Sequence, residues 1–141
     1  MLGKLRGSGC NLLLCASVVV ILSVGCSSGE PPKPSGTVSG TVALNGQPYT
    51  DAAVVFFSLQ TGQAASANIG EDGKYRILNP LWVGTYQVYL APKLEENLEQ
   101  AEAKPVYMDQ SIPEKYYNET TTDIICTLKE GENSFAVELQ E

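Results

Sequence analysis

The stretch Thr37-Val38-Ser39-Gly40-Thr41-Val42-Ala43-Leu44-Asn45-Gly46 decides the fold. Val38, Gly40, Val42 and Leu44 alternate with Thr37, Ser39, Thr41 and Ala43, the period of a strand with one face turned inward. Asn45-Gly46 closes the run, and because both residues accept positive φ the pair signals a tight hairpin. The same grammar repeats downstream. Residues 52–59 end at Thr61-Gly62, and a weaker run over 64–69 ends at Glu71-Asp72-Gly73. Further runs cover 74–78, 85–91, 123–128 and 134–139, the last two separated by residues 129–133. Seven short strands with turns between them predict an all-β protein, a seven-stranded antiparallel sandwich of two sheets.

Alternation also assigns the core. Val54, Phe56, Tyr86, Val88, Phe135, Val137 and Leu139 fall on inward positions, and Gly46, Gly73 and Gly131 fit turns that need positive φ. Gly84 precedes a strand, where a close backbone approach is expected. The 52–59 run is unusual in being apolar on both faces. If Ala52, Val54 and Phe56 point inward, Val55 and Phe57 point outward and need a cover. One stretch departs from the β pattern. Leu94, Leu98 and Ala101 recur at i, i+4 and i+7 among Glu95, Glu96, Glu99 and Glu102, between Pro92 and Pro105. This predicts one short acidic helical insertion over residues 93–103, before strand six. That helix is the expected cover for Val55 and Phe57; a partner protein is the alternative.

Upstream of the strands the chain changes character. Residues 1–25 carry Lys4 and Arg6 ahead of a 12–24 apolar run, the form of an export signal. The run is shorter than the roughly 20 residues of a bilayer span. It ends in Leu22-Ser23-Val24-Gly25-Cys26, which resembles the bacterial lipobox, with Ser23 where leucine is expected and Leu22 one place early. Cys26 is then the expected lipidation site, and residues 26–36, rich in Pro, Ser and Gly, the tether. The resulting expectation is an exported chain, lipid-anchored to the cell membrane at the periplasmic face or outer membrane. Removing residues 1–25 from 141 leaves 116, room for one domain over 37–141. It also leaves Cys126 as the one cysteine besides Cys26, so no disulfide is expected and Cys126 reads as a buried hydrophobe.

Charge and composition exclude several chemistries. The chain has 9 basic and 16 acidic residues, a formal net charge of −7, and loss of Lys4 and Arg6 takes it to −9. Such a surface repels phosphate backbones, so no nucleic-acid partner is expected. There is no histidine. Serine and cysteine triads and histidine zinc sites are therefore excluded.

The order Val38-Ser39-Gly40-Thr41-Val42, Asn45-Gly46-Gln47-Pro48, Ala52-x-Val54-x-Phe56, Asp72-Gly73-Lys74-Tyr75-x-Ile77 and Gly84-x-Tyr86-x-Val88 resembles carboxypeptidase regulatory-like domains. Ile112-Pro113-Glu114-Lys115-Tyr116 and Gly131-Glu132-Asn133-x-Phe135-x-Val137-x-Leu139 are similar to small bacterial lipoproteins carrying that domain. The resemblance implies a transthyretin-like (prealbumin-like) Greek-key topology over 37–141. Val83 stands where the family usually has proline, and Thr120-Thr121-Thr122 is more polar than the family pattern. The hydroxyisourate hydrolase branch of the transthyretin-like family uses histidines and a C-terminal Tyr-Arg-Gly-Ser motif. This chain has no histidine and ends Glu138-Leu139-Gln140-Glu141, so that activity does not carry over.

The remaining candidates are few. Asp51, Glu71, Asp72, Asp109 and Asp123 are carboxylates in turn-like contexts, and no catalytic pair is expected among them. Neither Glu71-Asp72-Gly73 nor the glutamates of the insertion offers the six to eight oxygens of a calcium site, and no cofactor or metal is expected. Trp82, Tyr107, Tyr116 and Tyr117 are expected in connections outside the strands, where they either stack on sugars or pin their loops to the core. With Val55 and Phe57 they form the candidate contact set. Two functions follow: a non-catalytic, membrane-attached envelope domain with a structural or protein-interaction role, or a carbohydrate-binding module using loop aromatics on envelope polysaccharide.

Overall fold

Asn45 and Gly46 adopt φ of 50° and 79°, so the chain reverses there into a two-residue hairpin. The computed structural model describes Gly3 and residues 31–94 and 108–141. The chain divides into two units, Met1–Pro31 and Pro32–Glu141, and the second holds every strand that follows. The hairpin joins β1 (Ser35–Leu44) to β2 (Gln47–Pro48). Then come β3 (Ala53–Phe57), β4 (Ala64–Asn68), β5 (Lys74–Trp82) and β6 (Gly84–Ala91). A single 3₁₀ turn (Glu114–Tyr117) precedes β7 (Ile125–Leu128), β8 (Gly131–Ser134) and β9 (Val137–Leu139).

Two sheets result. In the first, β1 is central, with β5 and β2 antiparallel along one edge and β8 and β9 along the other. The second runs β4-β3-β6-β7 and is antiparallel throughout. Val38, Val42, Ile77, Leu81, Val137 and Leu139 of the first sheet share one hydrophobic cluster with Val54, Phe56, Tyr86, Val88, Leu90 and Leu128 of the second. The Phe56 ring sits at its centre, with centroids 5.9 Å from Tyr75, 6.5 Å from Tyr86 and 6.3 Å from Phe135. The inward positions read from alternation are buried, Phe135 partly so.

Three expectations need correction. The sandwich is not wholly antiparallel, because β8 and β9 run parallel to β1. Alternation fixes which side chains point inward but says nothing of strand direction. The last run is also broken. Residues 131–134 pair with the first half of β1 and 137–139 with the second, and between them the chain presses Phe135 against Gly40. A Cβ on Gly40 would lie 1.8 Å from the Phe135 carbonyl oxygen, so glycine is required there. Phe135 then supplies the inward side chain that Gly40 lacks. Finally, β5 does not stop at residue 78. It continues through Asn79-Pro80 to Trp82 by a register shift against Gly36 and Val38, so Trp82 closes a strand rather than standing in a connection.

Val55 and Phe57 stand apart from the cluster that contains Val54 and Phe56, on the other face of β3 as alternation requires. The cover expected over them is the insertion, and residues 95–107 lie outside the described residues. At its threshold, Asn68 holds the Leu94 backbone by two hydrogen bonds, Leu94 N–H to Oδ1 at 2.7 Å and Nδ2–H to the Leu94 carbonyl at 2.9 Å. Asn68 is opposite Ala53, on the outward face of the second sheet, so the chain leaving β6 crosses that face.

Candidate functional site: the side cleft between β4 and β5

Consecutive strands β4 and β5 belong to different sheets, and the turn at Gly70–Gly73 carries the chain across. Gly73 has φ of 75°, and a Cβ there would meet Pro48 Cβ at 2.9 Å, so position 73 tolerates no side chain. Gly70 N–H donates to the Lys74 carbonyl at 2.8 Å and Gly73 N–H to the Gly70 carbonyl at 2.9 Å, closing this end. Gln63 closes the other. Its Oε1 accepts from the Trp82 N–H at 2.8 Å and lies 2.8 Å from the Tyr86 hydroxyl, which is also 2.9 Å from the Trp82 carbonyl.

Between these ends lies a cleft of about 720 Å³ lined by Gln63, residues 64–68 and residues 76–81. It exists because the inward residues of β4 are Ala65 and Ala67, too short to reach the facing strand. Ile77 and Leu81, each 1% exposed, close its floor.

Among the described residues, both walls are strand edges with no paired neighbour. Ile69 N–H donates to the Ala52 carbonyl and Ser58 N–H to the Gln63 carbonyl, and Val54 and Phe56 are in register with Ala67 and Ala65. An antiparallel ladder alternates, so Ala65 and Ala67 bond to β3 while the N–H and C=O groups of Ala64, Ser66 and Asn68 point to the open side. Likewise Val42 N–H donates to the Gly73 carbonyl, and Gly40 and Val38 pair with Tyr75 and Ile77. The Arg76 backbone therefore faces out. Its side chain is exposed and joins neither ion pair among the described residues, Lys74–Asp72 and Lys115–Asp123. Beside it Leu78 is 81% exposed.

The aromatics expected to act together are separated. Trp82 pairs with Ser35 at the start of β1, half-buried, with Lys33 Nζ 4.4 Å from its ring centroid. Tyr117 lies at the other end of the sandwich, its hydroxyl donating to the Asp109 carbonyl at 3.3 Å, beside Tyr49, which donates to Asp109 Oδ2 at 3.4 Å. Burial, then the neighbouring Tyr117 and Asp109, raises the Tyr49 hydroxyl well above its ordinary pKa. Tyr116 is buried in the core, and Tyr107 lies outside the described residues, as does Cys26. Cys126 is buried, and burial pushes its thiol up to about 11, so it stays protonated at neutral pH.

Sequence reasoning missed Arg76, Leu78 and the open edge of β4. A signal was present. Ala64-Ala65-Ser66-Ala67-Asn68 contains no charge and no proline, the devices that usually blunt an edge strand.

No family model matches the chain, and no curated protein matches it. Two solved structures are similar. The crystal structure of a DUF3823 family protein from Parabacteroides merdae ATCC 43184 has 14% identity and a TM-score of 0.45, covering 77% of this chain and 47% of that one. A DUF3823 family protein from Bacteroides ovatus ATCC 8483 has 16% identity and a TM-score of 0.40, covering 75% of this chain and 44% of its own. This chain thus spans less than half the length of either.

Proposed function

We propose that the protein is a lipid-anchored, non-catalytic cell-envelope domain with a protein-interaction role, built as a carboxypeptidase regulatory-like sandwich of Greek-key topology. The observation that supports this reading is the side cleft, where two strand edges have no paired neighbour among the described residues of an otherwise well-packed domain. Acylation of Cys26 behind Gly25 would hold the chain at the periplasmic face or outer membrane, with residues 26–36 as spacer. Stable attachment there needs more than one acyl chain. The acidic insertion over 93–103 belongs to the same proposal, as intramolecular cover for Val55 and Phe57.

Carbohydrate stacking is the weaker reading. Trp82 and Tyr117 occupy opposite ends of the sandwich and Tyr116 is buried, so these three offer no shared platform. The full chain, immobilised through its C-terminus, is offered envelope protein and envelope polysaccharide in parallel, with mass spectrometry of the membrane fraction as a second arm. Capture of protein, and a lipid-bearing peptide beginning at Cys26, are the expected results. Capture of polysaccharide alone, or a soluble unmodified chain retaining residues 1–25, overturns the proposal.

A further inference from the structure

We infer that the end of the sandwich where the tether enters rests on the lipid surface itself, seating Trp82, Leu59 and Val83 at the phospholipid headgroups with Lys33 and Lys129 beside them. This goes beyond the envelope role above and rests on its reading of Cys26 as the lipid anchor.

Topology brings these residues to one end. There β1 starts and β5 finishes, with Ser35 opposite Trp82, and β6 starts and β7 finishes, with Gly84 opposite Leu128. The 58–63 turn joins them, because Gln63 Oε1 accepts from the Trp82 N–H at 2.8 Å and Ser58 N–H donates to the Gln63 carbonyl at 2.9 Å. Leu59 in that turn is 63% exposed, Val83 is 41% exposed and Trp82 is half-buried. A lone exposed apolar side chain is ordinary on a protein surface. Here three share the end at which the chain enters.

The tether is docked before β1 begins. The Pro34 carbonyl accepts from the Val83 N–H at 2.9 Å, and Lys33 Nζ lies 4.4 Å from the Trp82 ring centroid. Cys26 stands seven positions before Lys33, a reach of at most about 25 Å. Acyl chains on Cys26 therefore keep this end close to the headgroups, while the opposite end lies about 33 Å away along the ten residues of β1.

Charge follows the same axis. The loops of the tethered end carry Lys33 and Lys129 against Glu130, and those of the opposite end carry Asp51, Glu71, Asp72 and Glu141 against Lys93. On a chain of net charge −7, a tryptophan and two lysines at one end match an anionic headgroup layer, where tryptophan settles and lysine reaches the phosphates.

The test uses the acylated full chain taken from the membrane fraction and reconstituted in vesicles of phosphatidylethanolamine and phosphatidylglycerol. Trp82 is the one tryptophan, so its fluorescence reports this end alone. Lipid brominated near the headgroup should quench it by about twofold or more relative to unbrominated vesicles. Leu59→Asp with Val83→Asp alters two exposed side chains, so the fold should survive while the quenching is lost. Lys33→Glu with Lys129→Glu should weaken the quenching, and Glu71→Lys at the opposite end should not. An unquenched Trp82 in a lipid-bearing chain overturns this inference and leaves the anchoring intact. Equal quenching in wild type and the Leu59→Asp, Val83→Asp variant also overturns it, since the tether alone then sets the distance. Shielding of Trp82 from acrylamide without quenching by lipid overturns it in favour of a second copy or another protein. A chain carrying no lipid at Cys26 overturns the anchoring reading and this inference with it.

Discussion

The two long sides of the sandwich manage their strand edges in opposite ways. On one side lie β7, β8 and β9, of four, four and three residues, with Lys129, Glu130, Glu132 and Glu138 exposed along them. Short strands and charge are the ordinary defences against unwanted pairing. On the other side β4 offers five residues without a charge, facing a nine-residue β5 across an open cleft. Among the described residues, one chain thus protects one side and leaves the other open. The proposed interaction role falls on the side whose edges have no paired neighbour among the described residues.

The largest expected effect comes from a residue that serves both sides. Phe56 packs on Tyr75 of β5 and on Phe135 between β8 and β9, so Phe56→Ala should loosen both at once. A loss of about 3–5 kcal/mol in urea unfolding is expected for a fully buried phenylalanine. A loss below about 1 kcal/mol would mean that the two sides do not share this packing.

Alkaline pH probes the same core without mutation. The Cys126 thiol on β7 is raised to about 11, and the Tyr75 hydroxyl on β5 is raised by burial and then by Cys126. Both groups are held neutral in the folded state, so the unfolded chain releases their protons at lower pH. Stability is therefore full below about pH 9 and falls as pH rises toward 11. Cys126 alone accounts for a loss of up to about 3 kcal/mol, and Cys126→Ser should flatten part of the decline. A melting temperature constant from pH 8 to 11 would contradict the burial assigned to both groups.

Phe57→Ala is the milder test and separates the inner face of β3 from the outer. Phe57 is only half-buried, and a loss of about 2 kcal/mol in a chain that stays monomeric is expected if its cover is intramolecular. An unchanged melt with lost self-association in sedimentation would instead make the outer face an interface.

The strands were legible because alternation and turn chemistry are local. Asn45-Gly46, Gly73 and Gly131 marked reversals, and Val54, Phe56, Val137 and Leu139 fell on the inward face. What escaped was non-local. Nothing in residues 131–139 tells β1 that its neighbour will run parallel, and Asn79-Pro80 resembles a turn although the strand continues through it. The cleft escaped for a related reason. An edge is defined by the strand that is missing beside it, and only the sheet order shows that β4 has one neighbour among the described residues.

Residue-resolved amide hydrogen exchange tests the open edge most directly. The account predicts rapid exchange at Ala64, Ser66 and Asn68 and slow exchange at Ala65 and Ala67, whose N–H groups bond to β3. Uniform protection along residues 64–68 would contradict it.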